Sequence, residues 1–194
     1  MTIRKLNRIK DLYFSYQDVA ASFGISSESA RVTCSRYVRS GDLVRLKRNY
    51  YMLIDRWENR TEEETYALAN MLQVPSYISL TTALIYYGYT TQIQQNFLES
   101  VAVKRTREFI VHEMIFSYTK LKKDIYSDFV KKGSFFIARP EKALIDAVYL
   151  ESMGRYRLDT GSIDFSKFDR NRLIKLVSKY NNRIRQRVEE LCVT

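Results

Sequence analysis

The chain has 194 residues, 32 Lys and Arg against 22 Asp and Glu for a net charge of +10, and 45% apolar residues. That length and the aromatic content (15 Tyr, 10 Phe, 1 Trp) exclude a disordered chain and suit one large domain or two small ones. Two lone cysteines, Cys34 and Cys192, exclude a disulfide scaffold and a zinc ribbon. The charged start "MTIRKLNRIKDLYF" and the lack of any run of about 18 apolar residues predict a cytoplasmic protein with neither signal peptide nor membrane span.

Charge is unevenly distributed. Residues 1–56 carry 11 Lys/Arg against 5 Asp/Glu, residues 57–150 carry 11 against 11, and residues 151–194 carry 10 against 6. A basic head of this kind points to a polyanionic partner, and it is the head that should meet it.

In chain order, Ile3, Leu6, Ile9 and Tyr13 predict a first helix over about 3–14. Ser15 with Asp18 predicts the capped start of a short second helix, Val19, Ala20 and Phe23 facing inward, and Gly24 ends it. Ser26 caps a third helix over 27–39, with Glu28 in its first turn where the helix dipole favours an anion. Its Ala30, Cys34, Tyr37 and Val38 form an inward face. The outward face carries Glu28, Val32, Ser35, Arg36 and Arg39, flanked by Ser29 and Arg31. Val32 is apolar on a polar face. In a DNA major groove it would touch a thymine methyl while Arg31 or Arg36 reaches guanine acceptors; otherwise it packs under a neighbouring hairpin and the arginines are solvated.

After Gly41 and Asp42 the runs "LVRLK" and "YYMLI", separated by Arg48 and Asn49, predict a hairpin. Arg45, Lys47 and Arg48 would meet phosphates there, which position a protein without specifying sequence. Helix plus basic hairpin is the pattern of a winged helix-turn-helix on double-stranded DNA. The candidate DNA-binding set is Ser27, Ser29, Arg31, Val32, Ser35, Arg36, Arg39, Arg45, Lys47 and Arg48.

Beyond about residue 57, Thr61 and Glu64 form a capping box for a helix stopped at Val74-Pro75. "SYISLTTALIYYGYT" reads as another helix closed by Gly88, and "ESVAVK", "FIVHEM", "IFSYTKL" and "GSFFIA" as strands. Pro140 opens a helix ended by Gly154, and one or two basic amphipathic helices broken at Asn181-Asn182 close the chain. The fold class is therefore α+β, a winged helix-turn-helix over 1–56 followed by a mixed helix-and-sheet domain over 57–194.

Catalytic signals are sparse. His112 lies in a strand-like run with no partner ligand at metal spacing, so no metal or other cofactor is expected. Glu141, Lys142 and Asp146 echo a nuclease cluster, but Glu141 and Lys142 point about 100° apart on a helix. Burial of Ala143, Leu144, Ala147 and Val148 explains the segment better. In the tail, Arg183, Arg185 and Arg187 are either a partner-facing set or a solvated helix face.

Three segments in series carry a resemblance. "VTCSRYVRSGDLVRLKRNYYML", "PSYISLTTALIYYGYTTQ" and "FFIARPEKALIDAVYL" resemble successive signatures of the AbiEi-type antitoxins, the transcriptional regulators of bacterial abortive-infection systems. The resemblance implies a recognition helix at Ser27–Arg39, a wing at Leu43–Leu53, and repression of the protein's own operon through inverted repeats. It also implies that the second domain counters a nucleotidyltransferase toxin in a type IV pair without a stable complex. Asn49 stands in "KRNYY" where the family usually has a glycine, and asparagine adopts the same left-handed conformation at modest cost. Two other readings compete: a stand-alone regulator whose second domain senses a ligand or dimerises, and a nucleic-acid enzyme using Glu141 to Asp146.

Overall fold

The computed structural model describes residues 3–193. The chain is mixed α and β and divides into two compact units, Met1–Thr65 with Phe109–Glu113, and Tyr66–Glu108 with Met114–Thr194.

In the first unit a 3-10 turn at Ile3–Arg8 leads to strand β1 (Phe14–Ser15), helix α1 (Tyr16–Phe23) and helix α2 (Ser27–Arg39). Strands β2 (Leu43–Lys47) and β3 (Tyr50–Leu53) and the short helix α3 (Ile54–Glu58) follow. The expected helix over 3–14 is absent. Apolar residues three apart, Ile3, Leu6 and Ile9, line up equally well on a 3-10 turn, and Ile9 N–H donates to the Leu6 carbonyl at 3.0 Å. Phe14 and Ser15 are instead drawn into pairing with Tyr51 and Tyr50, giving the antiparallel order β1-β3-β2.

The caps form as their residue types dictate. Asp18 accepts from the Ser15 backbone at 2.7 Å while Ser15 Oγ accepts from the Asp18 N–H at 3.3 Å. Gly24 closes α1 at φ 65, and Ser26 Oγ accepts from the Ser29 N–H at 3.2 Å. Leu6, Val19, Ala30 and Cys34 are fully buried, and Phe14, Tyr16, Tyr37, Leu43 and Tyr51 are buried with them in the same core. Cys34 is a core residue whose thiol burial pushes up to about 11.

Helix α4 (Glu62–Leu72) opens on the expected box, Thr61 N–H to Glu64 at 3.0 Å and Glu64 N–H to Thr61 Oγ1 at 3.1 Å. The second unit is built on strands ordered β7-β5-β4-β9-β8. Those strands are β4 (Ser76–Ile78), β5 (Phe97–Ala102), β7 (Met114–Lys120), β8 (Phe129–Lys132) and β9 (Phe135–Ala138), while most of β6 (Arg107–Val111) belongs to the first unit. "SYI", read as the start of a helix, is the strand β4, paired antiparallel with β5 and parallel with β9, and helix α5 covers only Leu80–Tyr86. All three residues of β4 are buried, Tyr77 and Ile78 wholly, so both of its faces are covered and the alternation that marks a half-exposed strand is missing. "FIVHEM" covers the end of β6, a turn and the first residue of β7, with exposed His112 at φ 55 in the turn rather than in a strand, its ring stacked on Trp57 at 6.3 Å.

Helix α6 (Pro140–Ser152) packs against α5, α7 (Arg170–Val177) and α8 (Asn182–Val193). Every residue from Glu141 to Val148 is buried, so α6 is the central helix of its unit and not an amphipathic surface helix.

A buried polar knot lies beside β5. Glu99, 7% exposed, accepts from Gln94 Nε2 at 2.9 Å and from the Tyr156 hydroxyl at 3.2 Å, while its N–H donates to Thr82 Oγ1 at 2.8 Å. Burial raises its carboxyl above the ordinary value, against the lowering effect of Gln94 and Tyr156. A carboxyl raised on folding contributes stability that is present below the unfolded pKa and lost as pH rises through the folded one. Glu99→Gln has no such dependence. Its melting temperature relative to the native chain is therefore expected to rise between about pH 4 and pH 7. A constant difference across that range would mean that Glu99 is not held at a raised pKa.

Candidate nucleic-acid interface

Helix α2 presents one polar face to solvent because its other face is committed to the core. Ser27, Glu28, Ser29, Arg31, Val32, Ser35, Arg36 and Arg39 are all exposed, whereas Ala30, Thr33, Cys34 and Tyr37 are buried. Val32 is 70% exposed, so it does not pack under the hairpin. A β-branched apolar side chain in that position loses nothing by being covered, which suits contact with a base edge. Ser29 Oγ accepts from Ser26 Oγ at 3.0 Å as part of the cap. The Arg36 guanidinium lies 5.4 Å from the Tyr37 ring centre. Arg31 is held differently. Its Nη2 donates to the Tyr16 hydroxyl at 2.7 Å, and its guanidinium carbon sits 4.3 Å over the Tyr16 ring.

The hairpin packs beside α2 through β2. Arg45 and Arg48 are exposed, and Asn49 takes φ 69 at the tip, the left-handed conformation that the missing glycine would have supplied. Lys47 is half-buried; its ammonium lies 5.1 Å over the Tyr50 ring, and burial lowers its pKa. Tyr13 meets Tyr50 edge-on at 5.8 Å. Tyr16 and Tyr13 escape a reading by helical wheel because the cation and the ring they touch, Arg31 and Tyr50, are distant in sequence.

The three tail arginines have different surroundings. Arg185 donates from Nε to the Tyr180 carbonyl at 2.9 Å and from Nη2 to the Ser178 carbonyl, satisfying backbone acceptors left free where α7 ends. Arg187 pairs with Glu190 at 3.5 Å and lies 3.9 Å from Glu151. Arg183 is exposed and shares with Arg187 the rim of a groove of about 260 Å³.

The segment that echoed a nuclease is a closed knot. Lys142 and Asp146 are 2% and 0% exposed and form an ion pair. Lys142 Nζ also donates to the Ile125 carbonyl at 2.7 Å and the Tyr180 hydroxyl at 3.1 Å. Asp146 accepts from the Tyr77 and Ser79 hydroxyls, each at 2.9 Å. Glu141 lies 3.3 Å from Arg172, which also binds Asp128 at 2.8 Å. Burial raises the Asp146 carboxyl, opposed by Lys142, Ser79 and Tyr77. All three ammonium donors and both carboxylate oxygens are engaged inside the protein, so the cluster presents nothing to a substrate. Two of the segments behind the family resemblance, around Ser79 and around Lys142, are thus halves of one buried network.

Comparison with known proteins bears on both units. Residues 1–54 match the family of transcriptional regulators described as AbiEi antitoxin, the family the sequence resembles. No curated protein matches the chain. The crystal structure of the RV2827C protein from Mycobacterium tuberculosis is similar in fold, with a TM-score of 0.65 and 12% sequence identity over 98% of this chain and 74% of that one. No helix among the described residues is long and apolar enough to cross a membrane.

Proposed function

We propose that the chain is a DNA-binding transcriptional repressor and the antitoxin of a type IV pair, autoregulating an operon that also encodes a nucleotidyltransferase toxin. One observation carries the reading: a capped helix exposes Val32 between arginines, beside a hairpin with exposed Arg45 and Arg48, within the segment that matches the AbiEi regulators. In this reading residues 1–56 are a winged helix-turn-helix. Helix α2 enters the major groove, the hairpin is the wing on the phosphates, and residues 57–194 counter the toxin without a stable complex. The enzyme reading needs Glu141, Lys142 and Asp146 to meet a substrate, and their burial favours a structural role.

A paired assay in cells tests the division of labour, using a promoter reporter for repression and growth rescue against the co-encoded toxin. Arg45, Lys47 and Arg48 changed together to Ala should lose repression and keep rescue. Arg183 and Arg187 changed to Ala should do the reverse; Arg185 is left in place because it holds the end of α7. Wing variants that lose both activities would mean that neutralisation runs through DNA binding. Folded tail variants that keep both would leave the two arginines as plain surface.

A further inference from the structure

Arg31 differs from the other cations of α2 in being both exposed and immobilised. Its anchor, Tyr16, is the first residue of α1, and the ring is 7% exposed within the core that also holds Val19, Ala30 and Cys34. The ring supports the guanidinium from below at 4.3 Å, and the phenol oxygen takes one N–H at 2.7 Å. A guanidinium has five N–H donors in one plane. The phenol engages one donor, so a two-donor edge of the guanidinium is left over. Beside it Val32 stands 70% exposed.

We propose that Tyr16 is a positioning residue that presets Arg31 to read a guanine through its O6 and N7 acceptors, making one G·C pair per α2 the strongest element of the recognised sequence. This rests on α2 being the DNA reader. An unrestrained arginine loses extensive rotamer freedom when it docks on a base, and one already ordered in the free protein loses less. The planar fork matches guanine, which offers two acceptors on one edge of the major groove, and not adenine, which offers a donor beside an acceptor. Tyr16 itself reaches no base in this arrangement. It acts through the orientation of Arg31.

The test is selection from short duplexes with a randomised core, read by sequencing, on the full chain and on Tyr16→Phe, Arg31→Ala, Arg31→Lys and Arg36→Ala. The native protein should enrich a fixed G·C pair. Arg31→Ala and Arg31→Lys should each reduce preference at that pair about tenfold or more. Tyr16→Phe keeps the ring and loses the hydroxyl. It should reduce preference about threefold or more at that same pair and at no other, with an unchanged melting temperature and salt dependence. Full preference retained by Tyr16→Phe would overturn the positioning role while leaving α2 as reader. Preference unchanged in both Arg31 variants but flattened by Arg36→Ala would overturn Arg31 as the guanine contact. Preferences unaltered by every α2 variant would overturn the DNA-reading assignment itself.

Discussion

Lys142→Met is expected to destabilise the second unit by about 3–5 kcal/mol near pH 7, because it leaves Asp146 as a buried charge without its cation. The tyrosine and serine hydroxyls still donate to Asp146, yet neither supplies positive charge. The carboxyl then escapes by taking a proton. Its folded pKa, already raised by burial, rises further once Lys142 no longer lowers it. By the same linkage as for Glu99, the variant should be nearest to native stability below the unfolded value of about 3.9 and should lose stability as pH rises toward neutrality. Asp146→Asn combined with Lys142→Met removes both charges and should recover part of the loss, so the two single effects are not additive. Urea unfolding at about pH 4 and pH 7 measures this. A deficit of equal size at both pH values would show that the ion pair contributes little beyond its packing volume.

What was legible in the sequence follows from how local each cause is. The caps at Ser15, Ser26 and Thr61, the inward and outward faces of α2, and the turn at Asn49 depend on residues within four positions of one another, and all appear as read. The failures depend on distant partners. β1 exists because residue 14 pairs with residue 51, and β4 because it lies between two strands far along the chain. Lys142 and Asp146, legible in the sequence only as the echo of a nuclease cluster beside an apolar helix face, are themselves buried. Their burial is set by Tyr77 and Ser79, 69 and 67 residues before Asp146, and by Tyr180, 38 residues after Lys142. The candidate interface was legible for the opposite reason. Exposure of one face of a helix follows from burial of the other, whereas a feature hidden there, the hold of Tyr16 on Arg31, spans fifteen residues.

DNA binding by the chain is expected to fall steeply with salt, by about 10³–10⁵ between 50 and 200 mM if six to ten phosphates are contacted. Each cation that displaces a counterion contributes about 0.9 to the log–log slope. The hairpin allows the three contributions to be ranked. Arg45 and Arg48 are exposed and free to reach phosphates, so each alanine substitution should remove about one full step of slope. Lys47 is half-buried over Tyr50, and burial lowers its pKa, so Lys47→Ala should remove less. None of the three should alter which sequence is preferred, since phosphate contacts carry no base information. Arg36→Ala and Val32→Ala should do the converse, weakening preference at particular base pairs by about 1–3 kcal/mol while random DNA binds nearly as before, apart from one slope step for any phosphate that Arg36 also touches. Binding isotherms across a salt series on selected and random duplexes separate the two groups. A hairpin triple variant with native slope would remove the wing from the interface. Equal losses on selected and random DNA for both Val32→Ala and Arg36→Ala would remove α2 as the reader, because side chains that read base edges must discriminate between sequences, whereas contacts to sugar and phosphate do not.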